Sequence, residues 1–135
     1  MEGLTNNRHS VGQNAYHFVW KPKYAFPIFG LENLRQDCYT ILRSIAERWG
    51  FEIFELKVMD DHVHLFVGVP PTIPVCKALQ IFKGGSAYQL FQKHPSLRRY
   101  KNFRNGHFWS PGKFFRSVGN VTADTIQHYI AESNN

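Results

Sequence analysis

Between His62 and Ala123 the sequence contains no aspartate or glutamate, while nine basic residues fall in that tract: Lys77, Lys83, Lys93, Arg98, Arg99, Lys101, Arg104, Lys113 and Arg116. Charge this one-sided points to a polyanionic partner, the alternative being a basic surface that serves solubility alone. Long apolar runs are also missing. No window approaches the roughly 20 apolar residues that a membrane-spanning helix needs, so a membrane protein is not expected. The opening stretch MEGLTNNRHSVGQN lacks the apolar core of a signal peptide. Residues 1–14 therefore read as a polar, flexible arm, and the cytoplasm is the expected location. Cysteine is scarce: Cys38 and Cys76 are the only two. Both fall in predicted helices, which suits small buried residues in a reducing compartment and argues against a disulfide framework.

What is plentiful is aromatic side chain, at 16% of the 135 residues. Tyr88, Phe91, Tyr100, Phe103, Phe108, Trp109, Phe114 and Phe115 are interspersed with the basic residues. Cations that track a phosphate backbone, alternating with rings on which bases stack, form the kind of surface that holds a single nucleic-acid strand. Some of these rings must also belong to the core.

The length suits one domain, spanning 1–135. AYHFVWKPKY predicts a short strand ended by Pro22, which cannot donate to a sheet ladder. Leu31, Leu34, Cys38, Ile41, Leu42, Ile45 and Trp49 recur mostly every three or four residues, with Gly50 just beyond, and predict an amphipathic helix with a glycine stop. Residues 51–59 and 62–69 read as two strands joined at Asp60 and Asp61. A second helix is expected from Pro74, weakened or broken at Gly84 and Gly85. The segment from Pro95 to Gly106 reads as a loop, and HFWSPGKFFRSV as an extended run interrupted at Ser110–Gly112. A last helix follows, with Thr122 as N-cap, Val121 stapled to Ile126 and Asp124 in the first turn. The order predicts an α+β fold of the ferredoxin-like or RRM-like kind, a split βαββαβ antiparallel sheet with helices on one face and one added C-terminal helix.

Side chains alternate along a strand, so Val63, Leu65, Val67 and Val69 share one face and His62, His64 and Phe66 the other. The two imidazoles then lie roughly 7 Å apart at Cβ, close enough to converge on one divalent ion. A His-x-His pair on a surface strand without any ligand remains the alternative, and two ligands alone make an incomplete site. A metal with open positions suits phosphoryl transfer. Tyr129 borders the apolar stripe of the last helix, where a tyrosine often serves the core. A tyrosine can also attack a phosphodiester and be displaced again, because an aryl oxide leaves more readily than an alkoxide.

HFVWKPKY, WGFEIFELKVMDDHVHLFVGVPP, FKGGSA, GHFWSPGKFF, SVGNVT and HYI, in that order, resemble the single-tyrosine HUH transposases of the smallest bacterial and archaeal insertion sequences, the TnpA type. The resemblance runs from about Tyr16 to Glu132. It implies that His62 and His64 hold a catalytic Mg²⁺ or Mn²⁺, and that Tyr129 is the nucleophile that cuts single-stranded DNA to leave a 5′-phosphotyrosine and a free 3′-hydroxyl. It further implies a homodimer whose active sites are shared between subunits, acting on imperfect hairpins near an element's ends. Two departures stand out. Where relatives carry a glutamine ligand one turn after the tyrosine, this chain has Ser133, with Glu132 beside it, so the third metal ligand is expected at Glu132 or Ser133. Asp60 stands where relatives have proline, and Asp60 and Asp61 read as turn residues. Two imidazoles favour Mn²⁺ at least as much as Mg²⁺.

The leading expectation is a DNA strand transferase, with the DNA held by Lys83, Arg98, Arg99, Lys101, Arg104, Lys113 and Arg116. Two rivals stay open at this level. A non-catalytic single-strand binding module would ignore EDTA and tolerate His64→Ala. A related HUH nickase would share the chemistry and differ in the DNA that flanks its gene.

Overall fold

The apolar repeat that begins near Leu31 forms helix α1, Glu32–Trp49, burying Leu34, Cys38, Ile41, Leu42, Ile45 and Ala46 along one stripe. Its end follows from Gly50, which takes φ 76°, a conformation open to glycine at little cost. There the Phe51 N–H donates to Ala46 O at 2.9 Å and closes the last turn. In this computed structural model, residues 13–112, 114–120, 127, 130 and 131 are described. The remaining elements are strands β1 (Asn14–Trp20), β2 (Glu52–Met59), β3 (His62–Val69) and β4 (Phe114–Asn120), and helix α2 (Val75–Lys93).

The strands form one antiparallel sheet in the order β2-β3-β1-β4. This is the α+β arrangement expected from the strand and helix order, with β1 and β3 in the centre. Both central strands turn their apolar rows toward the helices: Phe18 and Trp20 from β1, Val63, Leu65, Val67 and Val69 from β3, all at most 2% exposed. Phe82 of α2 and Phe51 before β2 complete this layer. Each large apolar side chain so buried contributes about 1.5–3 kcal/mol.

Several expectations change. Gly84 and Gly85 do not break α2, which runs unbroken through both. A Cβ on Gly85 would stand 3.0 Å from Ile45 Cδ1 of α1, whereas one on Gly84 would meet nothing within 4 Å. The second glycine therefore marks a close helix–helix approach. Pro74 stands at the N-cap of α2 and not inside its first turn. Cys38 is buried as expected, with burial pushing its thiol pKa up, but Cys76 is exposed. Gln13 and Asn14, read above as part of an N-terminal arm, already belong to the folded part: Gln13 Nε2 donates to Gly50 O, and Asn14 pairs with Val69 and Asn120. Residues 1–12 lie outside the described residues.

The segment expected as a loop after α2 contains two 3-10 turns, Pro95–Arg99 and Lys101–Phe103. Leu97 and Phe103 anchor them in the core. Before β4, Trp109 forms an isolated bridge with Pro22, and its indole N–H donates to Ser86 Oγ at 2.9 Å. After β1 the chain passes through Tyr24 (φ 60°) and Ala25 (φ 54°), two non-glycine residues in the left-handed region. Gln127, Ile130 and Ala131 are helical. Thr122, Val121, Ile126 and Asp124, named above for the start of that helix, lie outside the described residues.

Candidate active site

The sheet face away from α1 and α2 carries polar side chains because strand alternation sends His62 and His64 of β3 there, opposite the apolar row. Register adds β1: Val19 pairs with His64 and His17 with Phe66, so His17 shares that face. From the flanks, Lys57 of β2 pairs with His64, and Arg116 of β4 pairs with His17. The centre of the face is a cleft of about 180 Å³ lined by His17, Glu55, Lys57, Met59, His62, His64 and Phe66. One end of the face is covered and not open as expected. Ala15 and Phe66 are buried there, with Phe54, Val118 and Ile130 packed against them.

The two imidazoles of the His-x-His pair are held in place by different neighbours. Asp61 Oδ1 lies 2.7 Å from His62 Nδ1, and His17 Nε2 lies 3.1 Å from His64 Nδ1. The ring centroids of His62 and His64 are 4.8 Å apart. A carboxylate or a second base on Nδ1 selects the tautomer that presents Nε2 outward.

Burial and neighbouring positive charge favour the neutral form of His64 and His17. His64 is lowered from its ordinary pKa by burial first, then by the positive charges of His62 and Lys57, with Glu55 opposing. His17 is lowered to about 4 by burial, then by His64 and Arg116. Asp61 is held below the usual carboxylate range, chiefly by its hydrogen bond with His62. For His64, a neutral imidazole with a fixed tautomer is what a divalent ion requires of a histidine ligand. The two imidazole donors, His62 and His64, fit a borderline cation. Among the described residues no set of three His, Cys, Asp or Glu side chains converges as a complete ligand shell.

Of the expected site residues, His62 and His64 come together in this cleft, and Arg116 lies on the same face. Tyr129, Glu132, Ser133 and Lys113 lie outside the described residues. Arg98, Arg99, Lys101 and Arg104 lie on or just after the two 3-10 turns that follow α2. There the Arg98 guanidinium sits 4.3 Å from the centroid of the Phe91 ring. Lys83 Nζ donates to Ser110 O at 2.8 Å and to Gly112 O at 3.0 Å, so its ammonium holds a loop of the protein. His17 was not read as a site residue. Only the pairing of β1 with β3, which places it diagonal to His64, gives it that position. Asp61, read as a turn residue, also orients His62.

Comparison with known proteins gives consistent results. The family described as Transposase IS200 like matches residues 10–133. The ISDra2 transposase TnpA of Deinococcus radiodurans is 31% identical over 127 residues, covering 94% of this chain and 89% of that protein. The transposase for insertion sequence element IS200 of Salmonella typhimurium is 33% identical over 127 residues, covering 92% of this chain and 82% of that protein. A crystal structure from Deinococcus radiodurans R1 superposes with a TM-score of 0.70 at 30% identity, covering 90% of this chain and 92% of that one. A REP-associated tyrosine transposase solved with a REP hairpin shares the fold, with a TM-score of 0.58 at 15% identity, covering 93% of this chain and 70% of that one.

Proposed function

The chain belongs to the IS200-like transposases, single-tyrosine enzymes that act on DNA, and on that premise we propose that it cleaves and rejoins single-stranded DNA at insertion-sequence ends through a 5′-phosphotyrosine on Tyr129. The observation that carries the reading is the paired orientation of the His-x-His rings. Asp61 and His17 each engage Nδ1 and leave His62 Nε2 and His64 Nε2 for a ligand on the open face. Mg²⁺ or Mn²⁺ bound there supplies a Lewis acid at the scissile phosphate, with the third ligand from Glu132 or Ser133.

The remaining steps fall to the chain itself. The Tyr129 phenolate oxygen forms the new bond to phosphorus as the bond to the 3′-oxygen breaks, and that oxygen leaves as a 3′-hydroxyl after taking up a proton. Rejoining reverses the exchange: a 3′-hydroxyl attacks the phosphotyrosine and the phenolate leaves, so no separate energy source is needed. Arg116, beside His17 on the same face, is suited to hold the DNA backbone near the reacting phosphate. Arg98, Arg99, Lys101, Arg104 and Lys113 are assigned to the rest of the strand or to a terminal hairpin, the kind of DNA with which the REP-associated relative was solved. Lys83 acts through the loop that it holds.

The protein works in the cytoplasm as one domain and as a homodimer. No helix among the described residues is long and apolar enough to cross a membrane. The active sites are shared between the two subunits, as the resemblance implies, and Ile130 of the last helix packs on Phe66 and Ala15 at the end of the histidine face.

The test is a denaturing gel of the protein with labelled single-stranded DNA from the flanks of its gene, with Mn²⁺ or with EDTA. A metal-dependent covalent adduct is expected from the wild type and none from Tyr129→Phe. Tight strand binding without an adduct in any divalent metal would overturn the reading in favour of a binding module.

A further inference from the structure

Beyond the histidine cleft, toward the end of β1, lies a second recess of about 310 Å³ lined by Val19, Trp20, Lys21, Ser110, Gly112 and Phe114. Its position is set by register: Val19 pairs with His64 on one side and with Phe114 on the other. The positive charge of Lys21 also reaches Asp61, the partner of His62. The recess therefore adjoins the proposed reaction centre.

Its walls are fixed by contacts that do not involve a ligand. The Ser110 N–H donates to Lys21 O at 2.8 Å, and Lys83 Nζ donates to the carbonyl oxygens of Ser110 and Gly112. The bridge between Pro22 and Trp109 ties the same loop to the end of β1. In this built frame Phe114 remains 54% exposed although it stands on the sheet face. Trp20, only 2% exposed, keeps its indole N–H without an acceptor among the described residues. A ring exposed beside a cation, in a recess at the small end of the roughly 300–1,000 Å³ typical of ligand pockets, suits one planar group carrying a negative charge and is too small for a duplex.

We propose that this recess takes one unpaired nucleobase of the DNA strand, next to the scissile phosphate, with the base stacked on Phe114 and its phosphate held by Lys21. The proposal rests on the strand-cleavage reading above. It makes Phe114 and Lys21 substrate-positioning residues and lets the enzyme keep a single nucleotide flipped out of the path of the strand.

The test measures binding without chemistry. Single-stranded oligonucleotides from the gene's flanks carry one abasic site, moved a nucleotide at a time through the cleavage region. Affinity is read by fluorescence anisotropy in EDTA for wild type, Phe114→Ala, Phe114→Tyr and Lys21→Gln. Wild type is expected to lose about tenfold in affinity at one abasic position, as stacking of one base implies. Phe114→Ala should bind the intact strand about tenfold more weakly and be indifferent to that position, while Phe114→Tyr restores the discrimination. Lys21→Gln should keep the discrimination and reduce the salt dependence by about one counterion. Thermal melting confirms that each variant is folded. The proposal fails if Phe114→Ala retains the wild-type discrimination, or if wild type has none. Positional discrimination in a protein that never forms a phosphotyrosine would sink the cleavage reading and leave the recess standing. An adduct from a wild type without discrimination would do the reverse.

Discussion

His17 and His64 face each other across the two central strands, Nε2 to Nδ1 at 3.1 Å, with the rings stacked 5.2 Å apart. For His64 to present Nε2 to a ligand, its Nδ1–H must donate and His17 must accept. His17→Ala removes that acceptor. It is expected to raise the Mn²⁺ concentration giving half-maximal DNA adduct by 10–100-fold, the usual cost of losing a group that orients a metal ligand. His17→Asn offers a carbonyl oxygen in its place and should recover part of the loss. Equal metal dependence in wild type and His17→Ala would show that His64 does not depend on His17.

The two adjacent glycines of α2 give opposite expectations. Gly84→Ala adds a methyl group to open space and removes a flexible residue from a helix interior, so it should stabilise the fold by about 1 kcal/mol. Gly85→Ala sets its Cβ 3.0 Å from Ile45 Cδ1 and should gain less, or lose, as α1 and α2 are pushed apart. Urea midpoints of the two single variants read the difference, and equal gains would show that the helices yield freely.

Ala25 holds φ 54° directly after Tyr24 at φ 60°. A left-handed residue with a Cβ costs about 1–2 kcal/mol relative to its right-handed form. Ala25→Gly relieves that strain but frees the unfolded chain, so a net stabilisation of about 1 kcal/mol or less is expected. A lowered melting temperature would mean that the Ala25 methyl makes contacts worth more than the strain.

Asp37 of α1 links the end of α2, with His94 Nε2 at 2.6 Å and Lys93 Nζ at 3.2 Å from its two oxygens. The hydrogen bond with His94 is the main cause that holds its carboxyl below the usual range. A depressed carboxylate pKa means that the unfolded chain binds the proton first. The stabilisation is therefore complete above the ordinary carboxylate pKa of about 4 and is lost as pH falls through the lowered folded value. Asp37→Asn should be less stable than wild type at pH 7, and the gap should narrow below about pH 4. A gap that persists unchanged into strong acid would show that packing, not charge, accounts for it.

The elements with a clear period were legible in the sequence. The stripe of α1 and the two strands around Asp60–Asp61 appear within a residue of their expected bounds, because apolar spacing and turn residues agree there. Gly84 and Gly85 misled because propensity is local: the helix tolerates Gly84 in open space, and Gly85 sits where Ile45 of α1 approaches closely. The His-x-His pair was legible as a candidate from alternation alone. His17 was not, since its nearness to His64 exists only once β1 pairs with β3. Phe66 was expected on an open face and is buried, because Phe54 of the adjoining strand β2 and Val118 and Ile130 from much later in the chain cover it. Lys83 looked like any other member of a basic tract until the carbonyls of Ser110 and Gly112 proved to surround it.

Ile130 of the last helix rests on Ala15 and Phe66 at the end of the histidine face, and the last prediction concerns which chain's tyrosine completes the site. Two inactive variants can be mixed: His64→Ala, which keeps Tyr129, and Tyr129→Phe, which keeps both histidines. If sites were shared between subunits, a mixed dimer would bring the intact tyrosine of one chain to the intact histidines of the other, restoring one site in each mixed dimer and up to about half of the wild-type adduct at each such dimer. If the tyrosine serves the histidines of its own chain, every site in the mixture carries one lesion and no adduct returns. Sharing between subunits predicts the first result. Subunit exchange must be shown independently, by differently tagged copies that co-purify, so that a missing adduct reports on geometry and not on failure to mix. Ile130→Asp sharpens the test: by breaking the contact with Phe66 it should lower adduct formation in the otherwise intact chain while the sheet and its histidines stay folded.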